Sequence, residues 1–337
     1  MLPDRTFIVA ELSANHNHNF DLAVKTLEAI AACGADAVKI QTYKPESLAI
    51  DVNNEYFSES KSGLWKGYTP WRLFEEASTP YEWHAELRDI AHRLGLIFFS
   101  SPFDYEGVDL LARLDCPIYK VASPEINDLP LIRYMAKQGK EMILSTGMAT
   151  LADISNAIDA CRSVGNDKIS LLKCTSEYPT PYAHVNLRTI PNMRDTFGVR
   201  VGISDHTMGA EIAIAAVALG ASIVEKHFIL DRGLGGPDSA FSMQPDEFGY
   251  MVKAIRNVEA ALGKICYGGL SEDKKRQRRA LFYTRDLAKG ESLSGSNVRS
   301  VRGAGMLQPQ SMELIEGKIL KRAVRKGTPV QLEDIDF

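Results

Sequence analysis

The chain has 337 residues, of which 45% are hydrophobic and 24% charged, and its formal net charge is −4 at pH 7. This composition is ordinary for a globular enzyme and excludes a broad positive field for nucleic acid, so an anionic ligand needs locally placed Lys, Arg and backbone N–H groups. The five cysteines are odd in number and widely spaced. They predict reduced thiols rather than a disulfide framework or a thiolate zinc site.

The chain has no targeting or membrane signal in its sequence pattern. Residues 1–7 lack a basic segment followed by a long apolar run. The longest apolar run, 212–219, is far shorter than the roughly 20 residues of a membrane helix. We therefore expect a cytoplasmic protein that binds neither membrane nor nucleic acid.

Short β-rich segments alternate with amphipathic helical segments from Phe7 to about Leu262, which predicts repeated βα units. The eight predicted strands are Phe7–Leu12, Ala37–Tyr43, Ile97–Ser101, Ile118–Val121, Met142–Ser145, Ile169–Cys174, Val201–Ser204 and Ile223–Phe228. Helices predicted between them include Asp21–Cys33, Pro80–Leu94, Leu151–Val164 and Ala210–Leu219. Eight such units predict an α/β protein with a closed (β/α)8 TIM barrel, whose active site lies at the carboxyl ends of the strands.

Two regions depart from this alternation. The aromatic-rich connection 44–79 is long, follows the second strand, and is expected to cover the active-site face as a lid or binding loop. After residue 265 a basic stretch, 266–279, precedes a small, mostly β module, 280–337, in which two similar phrases predict two hairpins. The basic stretch is typical of a solvated linker, and contact with an acidic surface or an anionic substrate is the alternative.

Every predicted strand of the barrel ends in polar or charged residues, which the needs of folding alone do not explain. Two lysines and four hydroxyl groups stand at five of these ends: Lys39, Lys120, Ser101, Ser123, Ser145 and Ser204. Such a ring of donors suits a phosphate or a carboxylate.

His206 and His227 end adjacent predicted strands and could bind one divalent metal, with Glu11, Glu225 or a substrate oxygen completing the shell. The alternative for each histidine is a hydrogen-bonded core residue or a base. His16 and His18 could join that shell, although their loop equally suits hydrogen bonds to its own backbone. The glycine-rich stretch 233–238 lacks the spacing of a nucleotide-binding loop and is expected to direct Asp238 into the barrel mouth.

Seven motifs in barrel order make the chain resemble the sialic acid synthase family, whose members join phosphoenolpyruvate to an aldose. They are AELSANHN at 10–17, VKIQTY at 38–43, YKVASPEI at 119–126, ILSTGMA at 143–149, KCTSEYP at 173–179, GISDHT at 202–207 and VEKHF at 224–228. Residues 280–337 resemble the antifreeze-like (SAF) domain that follows the barrel in that family.

The resemblance implies a role for each candidate residue. Phosphoenolpyruvate is bound by Lys39, Ser101, Lys120, Ser123, Ser145 and Ser204. His206 and His227 are the ligands of a divalent cation (Mn²⁺, Mg²⁺ or Co²⁺), and the catalytic residues are Glu11, Glu225 and Lys120. The acceptor sugar is contacted by Gln41, Glu125, Ser176, Tyr178 and Asp238. Arg302 matches an arginine that the SAF domain of the neighbouring subunit delivers in a domain-swapped homodimer, where that domain covers the partner's active site.

Within the family, the stretch 64–84, SSPFD at 100–104 and KCTSEYP look like pseudaminic acid synthases. Ser176 stands where neuraminate enzymes often carry Asn or Thr, which suits a 6-deoxy diacetamido sugar whose methyl group needs apolar neighbours. The expected reaction is a metal-assisted condensation of phosphoenolpyruvate with 2,4-diacetamido-2,4,6-trideoxy-L-altrose and water.

Three alternatives stay open at this point. The acceptor could be that of an N-acetylneuraminate or legionaminate synthase. A lysine aldolase would use Lys39 or Lys120 as a Schiff base. The protein could also be a non-catalytic glycan-binding protein, although such a binder has no use for an intact set of acid, base and metal-binding residues.

Overall fold

The computed structural model describes residues 3–337, which form two compact units that divide after Gly263. In the first unit, eight parallel strands close into a barrel in which each strand pairs with its neighbours in chain order. They are β1 (Phe7–Glu11), β2 (Ala37–Thr42), β3 (Ile97–Pro102), β4 (Ile118–Val121), β5 (Glu141–Ser145), β6 (Ile169–Cys174), β7 (Arg200–Asp205) and β8 (Ile223–His227). The predicted (β/α)8 barrel is confirmed, and every predicted strand end lies within one residue of the observed one.

Helices follow the strands and form the outer layer of the first unit. They are α1 (Phe20–Ala32), α2 (Pro45–Leu48), α3 (Pro70–Ala77), α4 (Trp83–Arg93), α5 (Tyr105–Arg113), α6 (Leu129–Ala136), α7 (Leu151–Arg162), α8 (Thr189–Phe197), α9 (Glu211–Ala218) and α10 (Pro245–Leu262). The helix predicted from Pro80 begins at Trp83, because the carbonyls of Pro80 and Tyr81 accept turn hydrogen bonds from Trp83 and His84. Within residues 3–337 no helix has both the length and the apolar character needed to cross a membrane.

The barrel interior has an apolar floor and a polar mouth. Because side chains alternate between the two faces of a strand, each strand sends an apolar residue inward near its start and a polar one inward near its end. The floor consists of Phe7, Val9, Ala37, Phe99, Ile118, Ile143, Leu172 and Ile223. On β7 the interior leaves no room for a side chain at Gly202, where a Cβ atom would lie 2.3 Å from the carbonyl of Ile223.

The connection 44–79 contains α2 and α3 and packs on the strand-end loops. The indole of Trp65 donates a hydrogen bond to the carbonyl of Pro237 (2.9 Å) and lies 5.5 Å from the ring of Tyr178. On α3, Phe74 meets Tyr43 edge to face at 6.0 Å. This connection therefore lies against the mouth, where the sequence predicted a lid or a binding loop.

The second unit is a small β-rich body that begins at Lys264. Its elements are α11 (Glu272–Arg276), β9 (Arg279–Tyr283), β10 (Val298–Arg302), α12 (Met312–Ile315), β11 (Ile319–Leu320) and β12 (Ile335–Asp336). The strands form two antiparallel pairs, β9–β10 and β11–β12. The two similar phrases form the connections inside these pairs and meet each other through a bridge between Leu287 and Val324. The sequence predicted two hairpins, and the two antiparallel pairs that these phrases connect match them, although the connections are long.

Candidate active site

Four charged side chains meet at the centre of the barrel mouth. Glu11, Lys39, Lys120 and Glu225 are at most 4% exposed. Lys39 forms an ion pair with Glu11, and its Nζ lies 3.9 Å from Oε1 of Glu225. The Nζ of Lys120 lies 3.5 Å from the same Glu225 oxygen. The side chain of Lys39 therefore does not extend to solvent at the rim of the barrel.

The protonation of this cluster is set by competition between burial and pairing. Burial raises the pKa of Glu11 to about 7, against the opposing charge of Lys39. Burial would also raise the pKa of Glu225, but Lys120 and Lys39 outweigh it and lower that pKa below its ordinary value. Burial lowers the pKa of Lys120. Glu11 can therefore exchange a proton near neutral pH, whereas Glu225 stays a carboxylate.

The predicted hydroxyl groups surround these charges. Ser101 accepts a hydrogen bond from Lys39 (3.4 Å), and Ser204 donates to Glu225 (3.0 Å). The hydroxyls of Ser145 and Ser176 are buried and have no hydrogen-bond partner among residues 3–337. Unpaired buried hydroxyls cost free energy, so these two groups are available to bound substrates.

A glycine lets the hydroxyl groups of the mouth lie close to the backbone that follows β5. Gly147 follows β5, and its N–H donates to the hydroxyl of Ser123 (3.0 Å). A Cβ atom at this position would lie 2.5 Å from Oγ of Ser176, 2.9 Å from Oγ of Ser123 and 3.1 Å from Sγ of Cys174. Any side chain at residue 147 would therefore displace groups that line the mouth.

His206 and His227 lie side by side, with ring centroids 5.3 Å apart. Nδ1 of His206 is 3.1 Å from the carbonyl of Thr175, and since a carbonyl only accepts, this nitrogen carries the proton and leaves Nε2 free to bind. Nδ1 of His227 is buried and has no hydrogen-bond partner in the described part of the chain. Burial holds the pKa of His227 well below its ordinary value, which favours the neutral imidazole that metals require.

These two imidazoles fit a divalent cation that substrate or water also ligates. No group of three His, Cys, Asp or Glu side chains in residues 3–337 is arranged to hold a metal ion. The nearest carboxylate recorded beside His227 is Asp238, whose Oδ2 lies 3.8 Å from Nδ1 of the histidine. Because catalytic zinc sites commonly have three protein ligands, a cation on these two imidazoles would need oxygen ligands from substrate or water.

The remaining acceptor-site candidates line one side of the mouth. Asp238 accepts a hydrogen bond from Ser13 (2.5 Å), and Ser13 in turn accepts one from the amide of Gln41 (3.1 Å). The ring of Tyr178 lies 4.5 Å from that of His206. Gln41, Tyr178, His227 and Asp238 share a cavity of about 300 Å³.

Three candidates lie outside this arrangement. Glu125 is in a short 3₁₀ turn after β4, where burial raises its pKa to about 7. Arg302 is an exposed residue of the second unit, at the end of β10. His16 is buried, but it accepts a hydrogen bond from the N–H of His18 and contacts the hydroxyl of Thr79. These contacts favour the alternative in which the loop forms hydrogen bonds to its own backbone over the one in which His16 and His18 bind a metal.

Sequence reasoning missed three residues of the site. Sγ of Cys174 lies 3.9 Å from Nδ1 of His206, and its place as the last inward residue of β6 was the available signal. Ser13 joins Gln41 to Asp238, and its φ of 48° is unusual for a residue other than glycine. Trp65 was only one of several aromatic residues in a connection without periodicity, so no pattern distinguished it.

Comparison with known proteins identifies the family of the chain. Residues 26–267 match the NeuB family and residues 278–336 match the SAF domain. The chain is 42% identical to a Helicobacter pylori protein named pseudaminic acid synthase, over 98% of this chain and 97% of that one. It is 37% identical to a Campylobacter jejuni N,N'-diacetyllegionaminic acid synthase, over 94% and 96% of the two chains.

A solved structure extends the agreement to three dimensions. The N-acetylneuraminic acid synthetase of Leptospira borgpetersenii matches with a TM-score of 0.71 and 29% identity, over 81% of this chain and 90% of the other. The family match covers most of the barrel, and the relatives are similar along nearly the whole chain. The chain belongs to the NeuB family and carries a SAF domain after its barrel.

Proposed function

We propose that this protein is an enzyme that condenses phosphoenolpyruvate with 2,4-diacetamido-2,4,6-trideoxy-L-altrose and water to give pseudaminic acid and phosphate. The observation that carries the proposal is the buried Glu11–Lys39–Lys120–Glu225 cluster beside the adjacent imidazoles of His206 and His227. The similarity to relatives named pseudaminic acid synthase supports the choice of product. Because the reaction transfers a three-carbon unit to the acceptor, the enzyme is a transferase.

The lysines and hydroxyls of the mouth bind phosphoenolpyruvate in this mechanism. Lys39 and Lys120 offset the charge of the phosphate and carboxylate groups, and the unpaired hydroxyl of Ser145 donates a hydrogen bond to them. The apolar floor of the barrel beneath these groups offers no hydrogen-bond partner to water. Held in this way, C3 of the enol faces the acceptor aldehyde.

A divalent cation on His206 and His227 would act as a Lewis acid towards the aldehyde oxygen. C3 of phosphoenolpyruvate forms the new bond to the aldehyde carbon, and water adds to C2. Bond formation turns the aldehyde oxygen into an alkoxide, and Glu11, with its pKa of about 7, takes a proton from the water that adds to C2 and passes it to that alkoxide. Phosphate then leaves with its bridging oxygen as the C2–O bond breaks, while the C2 hydroxyl becomes the carbonyl of the product and gives its proton to the phosphate.

An acceptor screen tests the proposal. Purified protein with phosphoenolpyruvate and Mn²⁺ is given the diacetamido altrose, the legionaminic precursor or N-acetylmannosamine, and phosphate release is measured. We expect the altrose to be used most efficiently. A higher kcat/KM with another acceptor would replace the proposed product, and no release with any acceptor would contradict the enzyme assignment.

Two measurements test the chemistry itself. With ¹⁸O in the bridging C–O bond of phosphoenolpyruvate, we expect the label in the released phosphate. Removal of divalent cations with a chelator, and separately His227→Ala, should each abolish phosphate release. Full activity after either change would contradict the role of the cation.

A lysine aldolase is the second candidate, because burial lowers the pKa of Lys120 and so favours the free amine that a Schiff base needs. Lys120 lies beside the carboxylate of Glu225, which opposes that loss of charge. Borohydride reduction in the presence of pyruvate distinguishes the two reactions. Covalent labelling of Lys120 would support the aldolase, and the condensation predicts none.

We further propose that the enzyme works in the cytoplasm as a homodimer in which Arg302 of one subunit reaches the sugar site of the other. The free thiols of all five cysteines are typical of a reducing compartment. The exposure of Arg302 at the end of β10 is compatible with a role in another subunit.

A further inference from the structure

The two histidines of the mouth lie just beyond the last paired residues of β7 and β8. The ladder between these strands ends with Asp205 opposite Lys226, and each of these residues comes immediately before a histidine. His227 still pairs with Glu11 of β1, whereas His206 follows the end of β7. The backbone ladder between β7 and β8 therefore stops before it reaches the two imidazoles.

A buried ion pair joins the two strands at the point where the ladder ends. The Nζ of Lys226 donates to Oδ2 of Asp205 (2.7 Å) and to the carbonyl of Thr207 (2.7 Å). The N–H of Thr207 donates to Oδ1 of Asp205 (2.9 Å). Both charged side chains are 1% exposed. Lys226, which precedes His227, is thereby tied to the residues on both sides of His206.

This pair stands in apolar surroundings on the outer face of the barrel. The preceding outward residues of the two strands are Val201, Ile203 and Val224, and all three belong to the main hydrophobic core. An apolar pair in place of Asp205 and Lys226 would serve folding as well, because burial takes both charges out of water. Hydrogen bonds differ from apolar contacts in being directional, so three of them fix the local backbone in one arrangement.

We infer that Asp205 and Lys226 are positioning residues, whose ion pair sets the spacing of the two imidazoles for a divalent cation. The inference rests on the proposed function, which places that cation on His206 and His227. No group of three potential ligand side chains in residues 3–337 is arranged around a metal ion, so the affinity depends closely on how these two are held. The contact of His206 with the carbonyl of Thr175 orients one ring, and the ion pair positions the backbone that carries it.

The double variant Asp205→Asn/Lys226→Met tests this role. It removes both charges together, so that neither is left buried without a partner. Asn keeps an oxygen that can accept from the N–H of Thr207, and Met fills the space of the lysine carbons. Mn²⁺ binding is measured without substrate, from the electron paramagnetic resonance signal of the free ion. We expect the dissociation constant to rise about 10- to 100-fold, the usual effect of removing residues that orient metal ligands.

The matched control removes an ion pair at the opposite end of the barrel. Arg256 of α10 donates to Oδ2 of Asp36, which precedes β2, at 2.8 Å. The same carboxylate oxygen accepts from the N–H of Ile8 (2.9 Å), just as Asp205 accepts from a backbone N–H. Asp36→Asn/Arg256→Met therefore makes the same kind of change far from the histidines, and it should leave the dissociation constant of Mn²⁺ unchanged.

Two further variants complete the experiment. His227→Ala should abolish Mn²⁺ binding and so identifies the site that is measured. Circular dichroism on heating shows whether each variant is folded, and Lys226→Gln replaces the double variant if that protein does not fold. The amide of Gln can still donate to Asp205, but its side chain ends one bond short of lysine. We expect Lys226→Gln to raise the dissociation constant about tenfold.

The outcomes separate this inference from the proposed function. Unchanged Mn²⁺ affinity in the folded Lys226 variants, or an equal loss in Asp36→Asn/Arg256→Met, overturns the inference and leaves the proposed function standing. Mn²⁺ binding that persists in His227→Ala contradicts the proposed role of the cation, and the inference falls with it. Mn²⁺ binding as expected, without phosphate release from any acceptor, supports the positioning role and contradicts the proposed reaction.

Discussion

At the scale of single residues, the feature that most needs explanation is the burial of four charges in one barrel. Replacing a buried ion cluster with apolar residues is often neutral or stabilising, so Glu11, Lys39, Lys120 and Glu225 do not have to be there for folding. The two carboxylates and two ammonium groups nearly cancel in charge. When an anionic ligand binds, the lysines can therefore pair with it in place of the carboxylates. The cluster is therefore better explained by a role in the proposed reaction than by a role in stability.

Removing one lysine should affect both activity and stability. Lys120→Met leaves Glu225 with only the more distant Lys39, and we expect a loss of roughly 3 kcal/mol in the free energy of unfolding. Phosphate release should fall below about 0.1% of the wild-type rate. Urea unfolding and phosphate release measure the two effects.

The control for this variant is Lys140→Met. Lys140 forms an ion pair with Asp115 at 2.6 Å, but both side chains are exposed. Its removal should change the free energy of unfolding by less than about 1 kcal/mol and leave turnover intact. Equal destabilisation by the two variants would show that burial of the cluster does not matter.

Glu125 should make the protein less stable in alkaline solution. Its pKa is about 7 in the folded protein and 4.5 in a free side chain, so the folded form keeps a proton that the unfolded chain has lost. Its contribution is complete below pH 4.5 and is lost as the pH rises through 7. We expect Glu125→Gln to be more stable than wild type by about 2 kcal/mol at pH 8, with little difference at pH 4.5.

Urea unfolding at both pH values checks this, with Glu86→Gln, an exposed change on α4, as the control. We also expect Glu125→Gln to raise KM for the acceptor sugar. If the stability advantage of Glu125→Gln over wild type were larger at pH 4.5 than at pH 8, the assigned pKa would be contradicted.

At the scale of elements, two buried histidines fix the end of the connection 44–79. His16 contacts the hydroxyl of Thr79, and His84 donates from Nδ1 to the carbonyl of Pro80 (3.1 Å). Nε2 of His84 then accepts from the hydroxyl of Thr42 on β2 (2.8 Å). The segment that ends the connection is thereby attached to the barrel on both sides.

This arrangement predicts a loss of stability in acid. Burial lowers the pKa of His84 to about 4, below the 6.5 of a free side chain, so the unfolded chain binds more protons between those values. Stability is therefore complete above pH 6.5 and is lost as the pH falls towards 4. Between pH 7 and pH 5, His84 should account for roughly 2 kcal/mol of the decrease in the free energy of unfolding.

His84→Gln should remove that part of the pH dependence, although the variant is less stable at pH 7 because its hydrogen bonds are weakened. The matched control is His92→Gln, an exposed position on the same helix. Urea unfolding of wild type and both variants between pH 5 and pH 7 measures this pH dependence. The same acid dependence in wild type and His84→Gln would rule out the assignment.

At the scale of the whole molecule, the proposed dimer predicts complementation between two inactive variants. Arg302→Ala removes the arginine supplied to a partner, and Lys120→Met disables the barrel of its own subunit. In a mixed dimer, the barrel of the first variant receives Arg302 from the second. Random reassortment should restore about a quarter of wild-type activity.

Phosphate release after the two proteins are unfolded together and refolded measures the recovery. Each variant treated alone provides the baseline. No recovery from the mixture, with both proteins folded and dimeric, would place Arg302 in the site of its own subunit or outside any site.

The sequence by itself was sufficient for the barrel and its polar mouth. Strand alternation is local, so Phe7, Val9 and Glu11 had to share one face once β1 was recognised. Closure of parallel strands then brings their polar ends together, whatever the details of packing. That is why Glu11 and Lys39, which are far apart in the chain, could be expected at the same barrel mouth, although their ion pair was not predicted.

Only the tertiary structure decided which partners the long segments find. The two phrases of the second unit connect the strands of the two hairpins, but they also contact each other through the Leu287–Val324 bridge, which joins residues far apart in sequence. In the same way Trp65 reaches Pro237, and Leu73 and Phe74 face a cavity shared with His227. Periodicity specifies which face of an element is buried, but the packing of irregular segments depends on side-chain contacts that no local pattern records.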